Sequence, residues 1–158
     1  LHLQCLDSSV ATVTACDIGF IRHEDLRRLC ERQPRLAGLL WRETLIDASI
    51  FREWMANIGR REGLVRVAHL LCEWIVRGRA LELGDENGID LPITQVELAD
   101  ATGMSPVHMN RILQDLRGAS LIVLKGIRLS APDWKFLQTF AEFDPAYLHL
   151  VAERPDAA

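Results

Sequence analysis

Within residues 107–111, Val107, His108, Asn110 and Arg111 bring together an aliphatic surface, an imidazole, a carboxamide and a guanidinium. Those are the chemical types that read base edges in a major groove. A guanidinium pairs with guanine, a carboxamide with adenine, and aliphatic carbon meets the thymine methyl. Thr94, Gln95 and Ser105 stand where helices are expected to begin. Hydroxyl, amide and backbone N–H groups at such ends can hold phosphates. Lys125 supplies a further cation for a phosphate. Arg111 has a competing reading, an ion pair with Asp115 four residues on. Such a pair alone contributes only ~0.3–0.5 kcal/mol. His108 reads equally well as a base or phosphate contact and as an exposed polar residue.

The elements that must position these groups are written in local signals. Thr94-Gln95-Val96-Glu97 has the form of a capping box, with Thr94 as N-cap and Glu97 three residues on. The helix it opens has Val96, Leu98, Ala99 and Ala101 to pack, and Gly103 suits a left-handed helix end. Ser105 is then a second N-cap and Pro106 a first-turn proline. The spacing predicts a second helix over Pro106–Arg117 that buries Met109, Ile112, Leu113 and Leu116 and is stopped by Gly118. Its outward face carries Val107, His108, Asn110, Arg111 and Gln114. Two helices joined by a tight turn around a glycine form a helix-turn-helix. Apolar runs at 121–124 and 127–129 flank Lys125-Gly126 and predict a hairpin with a basic tip, the wing of a winged helix-turn-helix. Residues 132–140 read as a short helix, with Trp134, Phe136, Leu137 and Phe140 closing the core. Residues 151–158 read as a tail.

Upstream, Pro34 opens a helical pattern that runs without internal proline to Arg60, a span of about 40 Å at ~1.5 Å per residue. Ala37, Trp41, Thr44, Ala48, Phe51, Met55 and Ile58 follow alternating steps of four and three, a coiled-coil-like seam. Leu36, Leu40, Ile50 and Trp54 make a second apolar face. A helix apolar on two sides must be covered on two sides. Its own domain covers one, and a second copy of the chain is the expected cover for the seam. Gly59 and Gly63 mark a hinge, and residues 63–80 read as a helix with one buried face. Gly84-Asp85-Glu86-Asn87-Gly88 reads as a polar turn. Residues 10–14 and 17–21 read as short strands turning near Ala15-Cys16, followed by a short helix from His23, with His23, Glu24 and Asp25 as its solvated start. Two strands cannot satisfy their own edges, so residues 1–33 are expected to be the C-terminal remnant of a larger β domain. The organisation is therefore that remnant, a long helix and hinge over 34–62, a winged helix-turn-helix over 63–150, and the tail. The fold class is mainly α with small β elements.

The chain of 158 residues is 49% hydrophobic and 25% charged, with a mean hydropathy of +0.06. That is globular composition and excludes general disorder. No stretch approaches the ~18 apolar residues of a membrane helix, and no export signal opens the chain. Cys5, Cys16, Cys30 and Cys72 lie far apart, which reads as reduced, mostly buried thiols in a cytoplasmic protein. The net charge is −4, yet residues 105–128 hold Arg111, Arg117, Lys125 and Arg128 against Asp115 alone. A basic face on an acidic body suits a protein that touches a polyanion from one side. His69 and Glu73 share a helix face beside Cys72, a spacing that metal sites use. Their flanks Leu70, Leu71 and Trp74 favour a partly buried helix without metal. No GxSxG, HExxH or GxxxxGK pattern is found, so the reading is not of an enzyme.

The run from Leu91 through Thr94-Gln95-Val96-Glu97 and Gly103-Met104-Ser105-Pro106 to Arg117 closely resembles the DNA-binding domain of bacterial Crp/Fnr-type transcription regulators. The order also matches: β-roll ending, short helix, long helix, helix-turn-helix. The segment 141–147 is similar to a subgroup of that family. The resemblance implies a homodimer with an effector-sensing β-roll, near-palindromic operators in double-stranded DNA, and RNA polymerase as a partner. It places Val107, Asn110 and Arg111, with His108 beside them, at base-reading positions, and Thr94, Gln95 and Ser105 at phosphate-contacting ones. Many members carry a glutamate where this chain has Val107, so their half-site preference does not transfer. An effector such as a cyclic nucleotide would be bound by a cassette upstream of Leu1, and the iron–sulfur members use clustered N-terminal cysteines, also upstream. These residues therefore leave the effector unidentified. The alternative reading is a winged helix that docks proteins and binds no DNA; salt-dependent duplex binding separates the two.

Overall fold

The structure is a computed structural model, described here for residues 9–85 and 88–150. Cys5, Glu86, Asn87 and the tail at 151–158 lie outside the described residues. The chain divides into two compact units, Leu1–Ala48 and Ser49–Ala158.

In the first unit, residues 9–22 form no helix or strand. The two short strands expected at 10–14 and 17–21 are thus not formed, and Val10, Ile18 and Phe20 stand exposed. A strand is stabilised by a paired edge and a covered face, and these runs have neither. Helix α1 follows over His23–Arg32, with Asp25 accepting from both Arg22 and Arg28. Helix α2 runs Pro34–Arg60, with proline at its first position as expected.

The second unit holds the core. Helix α3, Gly63–Ala80, buries Val67, Ala68, Leu71, Cys72 and Ile75. Ile50 and Trp54, from the second apolar face of α2, pack against that core. Two short strands follow, β1 at Gly84–Asp85 and β2 at Gly88–Asp90. The segment that reads as a polar turn is therefore a hairpin. β1 and β2 pair with each other, and β2 pairs on its other edge with a distant strand, β4 (Arg128–Ser130), with Ile89 opposite Leu129. Gly88 is required there: a Cβ would lie 2.1 Å from the Leu129 carbonyl oxygen. With β3 at Val123–Lys125, the antiparallel sheet has the order β1-β2-β4-β3.

Helices α4 (Gln95–Thr102) and α5 (Pro106–Gly118) lie between the two hairpins in sequence. Helix α6 covers Trp134–Phe140 and a 3₁₀ turn covers Pro145–Leu148. Met109, Ile112, Leu113 and Leu116 of α5 are buried, as their spacing predicts. Of the described cysteines only Cys72 is buried as expected; Cys16 is exposed and Cys30 half-buried. Burial pushes the Cys72 thiol up to about 12, so at neutral pH it stays protonated and behaves as a core residue. No helix among the described residues is long and apolar enough to cross a membrane.

Candidate nucleic-acid interface

The turn between α4 and α5 is built as its residues require. Thr94 accepts from the Glu97 backbone N–H at 3.2 Å, and the Glu97 carboxylate accepts from the Thr94 backbone N–H at 2.7 Å and from its hydroxyl at 2.8 Å. Those bonds hold the Glu97 carboxyl below the usual carboxylate range. Gly103 ends α4 at φ +68°, a left-handed conformation that costs glycine little. Ser105 then caps α5 by accepting from the His108 backbone N–H. A donor hydroxyl remains on Ser105, whereas both donors of Thr94 are engaged by Glu97.

The outward face of α5 is as its spacing predicts. Val107 is 73% exposed, His108, Arg111 and Gln114 are exposed, and Asn110 is half-buried. Arg111 makes no ion pair with Asp115; its guanidinium is unpaired among the described residues. Three carboxamides are brought together across the two helices. Asn110 Nδ2 donates to Gln95 Oε1 at 2.9 Å, and Gln114 Nε2 donates to Asn110 Oδ1 at 2.9 Å. Val107, His108, Asn110 and Arg111 thus share one helix, and Gln95 is joined to them from the start of α4.

The wing is present as β3 and β4, turning through Gly126-Ile127, with Lys125 exposed opposite Arg128. The basic patch is smaller than the sequence count suggests. Arg128 pairs with Asp85 and Asp90, and Arg117 donates to the Leu113 carbonyl. Both acidic partners belong to the β1–β2 hairpin, which reads as a turn in the sequence. Lys125, Arg111 and Arg117 are left as the exposed cations of the segment without an acidic partner among the described residues.

A polar cluster that sequence reading does not assemble joins α2, α3 and the C-terminal turn. Glu73 is 2% exposed. It accepts from Trp54 Nε1 at 3.0 Å, from the Tyr147 hydroxyl at 2.7 Å and from Arg77 at 2.9 Å. His69 Nδ1 lies 3.2 Å from the Ala141 carbonyl, and Nε2 lies 3.2 Å from the Tyr147 oxygen. The atoms that a metal would need on His69 and Glu73 are therefore engaged in hydrogen bonds joining α2, α3 and the C-terminal turn. Arg61 donates to Glu53 at 2.7 Å and to the Glu142 carbonyl at 3.2 Å. At the expected hinge, Arg66 donates to the carbonyls of Ile58, Arg61 and Thr102. One guanidinium thus holds the end of α2 and the end of α4 together. A Cβ on Gly63 would lie 3.1 Å from His108 Nε2, so the hinge also abuts α5. No local pattern marks these partners, which come from far along the chain.

Burial, and next the Arg61 cation, hold the His69 imidazole below its ordinary value of 6.5. The unfolded chain therefore takes up a proton at His69 more readily than the folded one. Stability from this group is present above about pH 6.5 and is lost as pH falls below it. Thermal melts of wild type and His69→Gln from pH 7.5 to 5 should show a steeper acid loss in wild type. Parallel curves would contradict this.

The seam residues are outward on the single chain. Trp41, Phe51, Met55 and Ile58 are 66%, 70%, 74% and 49% exposed. Ala37 and Thr44 are exposed and Ala48 is half-buried.

Residues 65–140 match the Crp-like helix-turn-helix domain. The transcriptional activator protein FnrL of Cereibacter sphaeroides is 31% identical over 110 residues, covering 68% of this chain and 44% of that protein. The nitrogen fixation regulation protein FixK of Bradyrhizobium diazoefficiens is 28% identical over 126 residues, covering 78% and 52%. The chain spans about half the length of the curated relatives it matches. In fold, it resembles FixK2 from Bradyrhizobium japonicum, with a TM-score of 0.68 at 20% identity over 76% of this chain and 59% of that one. A CRP-family transcriptional regulator from Thermus thermophilus gives 0.52 at 24% identity, over 78% and 56%.

Proposed function

The chain belongs to the Crp/Fnr-type family of transcription regulators through its Crp-like helix-turn-helix domain, and we propose that it binds operator DNA as a homodimer with one α5 per half-site. The observation that carries this reading is the division of α5 into two faces. Met109, Ile112, Leu113 and Leu116 anchor it in the core, while Val107, His108, Asn110 and Arg111 face outward. A helix so anchored presents its N-terminal half to a groove wide enough for a helix.

In this reading Arg111 pairs with guanine, Asn110 with adenine, and Val107 meets a thymine methyl, with His108 at the edge of the contact. The Gln95 amide, the Ser105 hydroxyl and the Lys125 ammonium hold phosphates. Thr94 contributes by holding the helix end through Glu97, since a direct phosphate contact would require its hydroxyl to leave that carboxylate. Two chains associate along Ala37, Trp41, Thr44, Ala48, Phe51, Met55 and Ile58. Two recognition helices ~34 Å apart then enter successive major grooves. An effector sensed by a β-roll acts by changing how the long helices pack. The hinge, held by Arg66, carries that change to α4 and α5, so effector and DNA are linked through one two-state geometry. RNA polymerase as a partner and a cytoplasmic location follow from the same family reading.

Arg111→Ala and Lys125→Ala test the contacts separately. Arg111→Ala should cost about 1–3 kcal/mol on a selected site and relax preference at one base position. Lys125→Ala should weaken binding alike on all sequences and flatten the salt dependence by about one unit of slope. Binding titrations on cognate and scrambled duplexes over a salt series read both. Unchanged discrimination in Arg111→Ala removes its base-reading role, and a base-selective loss in Lys125→Ala removes the phosphate role.

A further inference from the structure

We propose that Gln95 and Gln114 are positioning residues that set base preference through Asn110, by fixing which way its carboxamide faces. This rests on the DNA-binding reading above. The three amides form a chain with one polarity: Gln114 Nε2 donates to Asn110 Oδ1, and Asn110 Nδ2 donates to Gln95 Oε1. A carboxamide has two N–H donors and two acceptor lone pairs. With one of each engaged, Asn110 keeps one N–H and one lone pair. That is the pair which adenine N7 and the adenine N6 amino group require.

The polarity is set from the phosphate end. Gln95 turns its oxygen to Asn110, which leaves its NH2 for the DNA backbone. A phosphate accepts and cannot donate, so contact at Gln95 favours this orientation over the reverse. Flipping Asn110 would set its NH2 against the Gln114 NH2 and its oxygen against the Gln95 oxygen. Relief would require all three amides to turn, and Gln95 would then meet the phosphate with oxygen. A flipped Asn110 also meets adenine N7 with an acceptor. Contact with the backbone at one end thus determines what is read in the groove. Docking excludes water from the chain and strengthens its bonds.

The test selects bound duplexes from a random pool with wild type, Asn110→Ala, Gln95→Leu, Gln114→Glu and Gln114→Lys. Lysine only donates and preserves the polarity at Asn110 Oδ1. Glutamate only accepts and draws the Asn110 NH2 away from Gln95. Adenine preference at one half-site position should fall on the order of tenfold in Asn110→Ala, Gln95→Leu and Gln114→Glu. Gln114→Lys should keep it, and all should keep preference at the other positions. The inference is overturned if Gln95→Leu and Gln114→Glu weaken every sequence alike with adenine preference intact. It is also overturned if Gln114→Lys and Gln114→Glu lose the preference equally. If wild type shows no salt-dependent duplex binding, the DNA-binding reading falls and the inference falls with it. Specific binding with preference indifferent to Gln95 and Gln114 removes the inference alone.

Discussion

Glu73→Ala should destabilise the helix-turn-helix unit by about 2–4 kcal/mol, a sizeable part of the roughly 5–15 kcal/mol that typically holds a domain together. Its carboxylate is buried and accepts from Trp54 on α2, Tyr147 in the C-terminal turn and Arg77 on its own helix. Alanine leaves the indole N–H and the phenol hydroxyl without partners and opens a cavity beneath them. A buried donor left unsatisfied costs about 1–3 kcal/mol. Burial, and next the hydrogen bond to Glu73, raise the Tyr147 hydroxyl above its ordinary range, so it remains a donor across the working pH range. Glu73→Gln keeps an acceptor for those donors and gives up only the ion pair with half-exposed Arg77, so it should cost about 1 kcal/mol. Urea unfolding of the two variants reads the difference. Equal, small losses would mean that the cluster does not hold α2 and the C-terminal turn to α3.

The second large effect is expected at the seam. Phe51→Glu combined with Met55→Glu places two charges on side chains that are 70% and 74% exposed in the single chain. The fold of one chain should therefore survive, while apposition of two seams brings four carboxylates together in a desolvated strip. Dimerisation should be lost, and affinity for a two-half-site operator should fall by roughly 10²–10⁴, because the second half-site no longer gains from the first. Sedimentation and duplex binding on the same preparations check both. A wild-type chain that is monomeric and binds one half-site as tightly as two would contradict the proposed assembly.

Sequence reveals those parts of the fold whose causes are local. The capping box at Thr94–Glu97, the left-handed Gly103 and the Ser105-Pro106 start each fix backbone geometry within a few residues, and all are found in place. The limits of α2 and α3 follow from Pro34, Gly59 and Gly63 for the same reason. What escapes it is held by distant partners. The β1 and β2 strands are two and three residues long, too short for alternation to show, and β2 takes part of its pairing from β4. The runs at 10–14 and 17–21 have strand propensity and no strand, because propensity without a neighbouring edge stabilises little. At the interface, the outward face of α5 is legible from helical period alone. The amide chain is not, since Gln95 and Asn110 meet only when α4 and α5 cross. Nor is the neutralisation of Arg128 by Asp85 and Asp90, which depends on a hairpin that local sequence does not announce. The bonds from Arg66 to the carbonyls of Ile58, Arg61 and Thr102 likewise form only once α2 and α4 end beside α3.

The central claim is that the outward side chains of two α5 helices read one duplex together. Sequencing the duplexes that the whole chain retains from a random pool tests it most directly. The account predicts enrichment of two inverted half-sites whose centres lie about one helical turn, ~34 Å, apart. Retained duplexes with no shared motif, or with a single half-site and no fixed spacing to another, would contradict it.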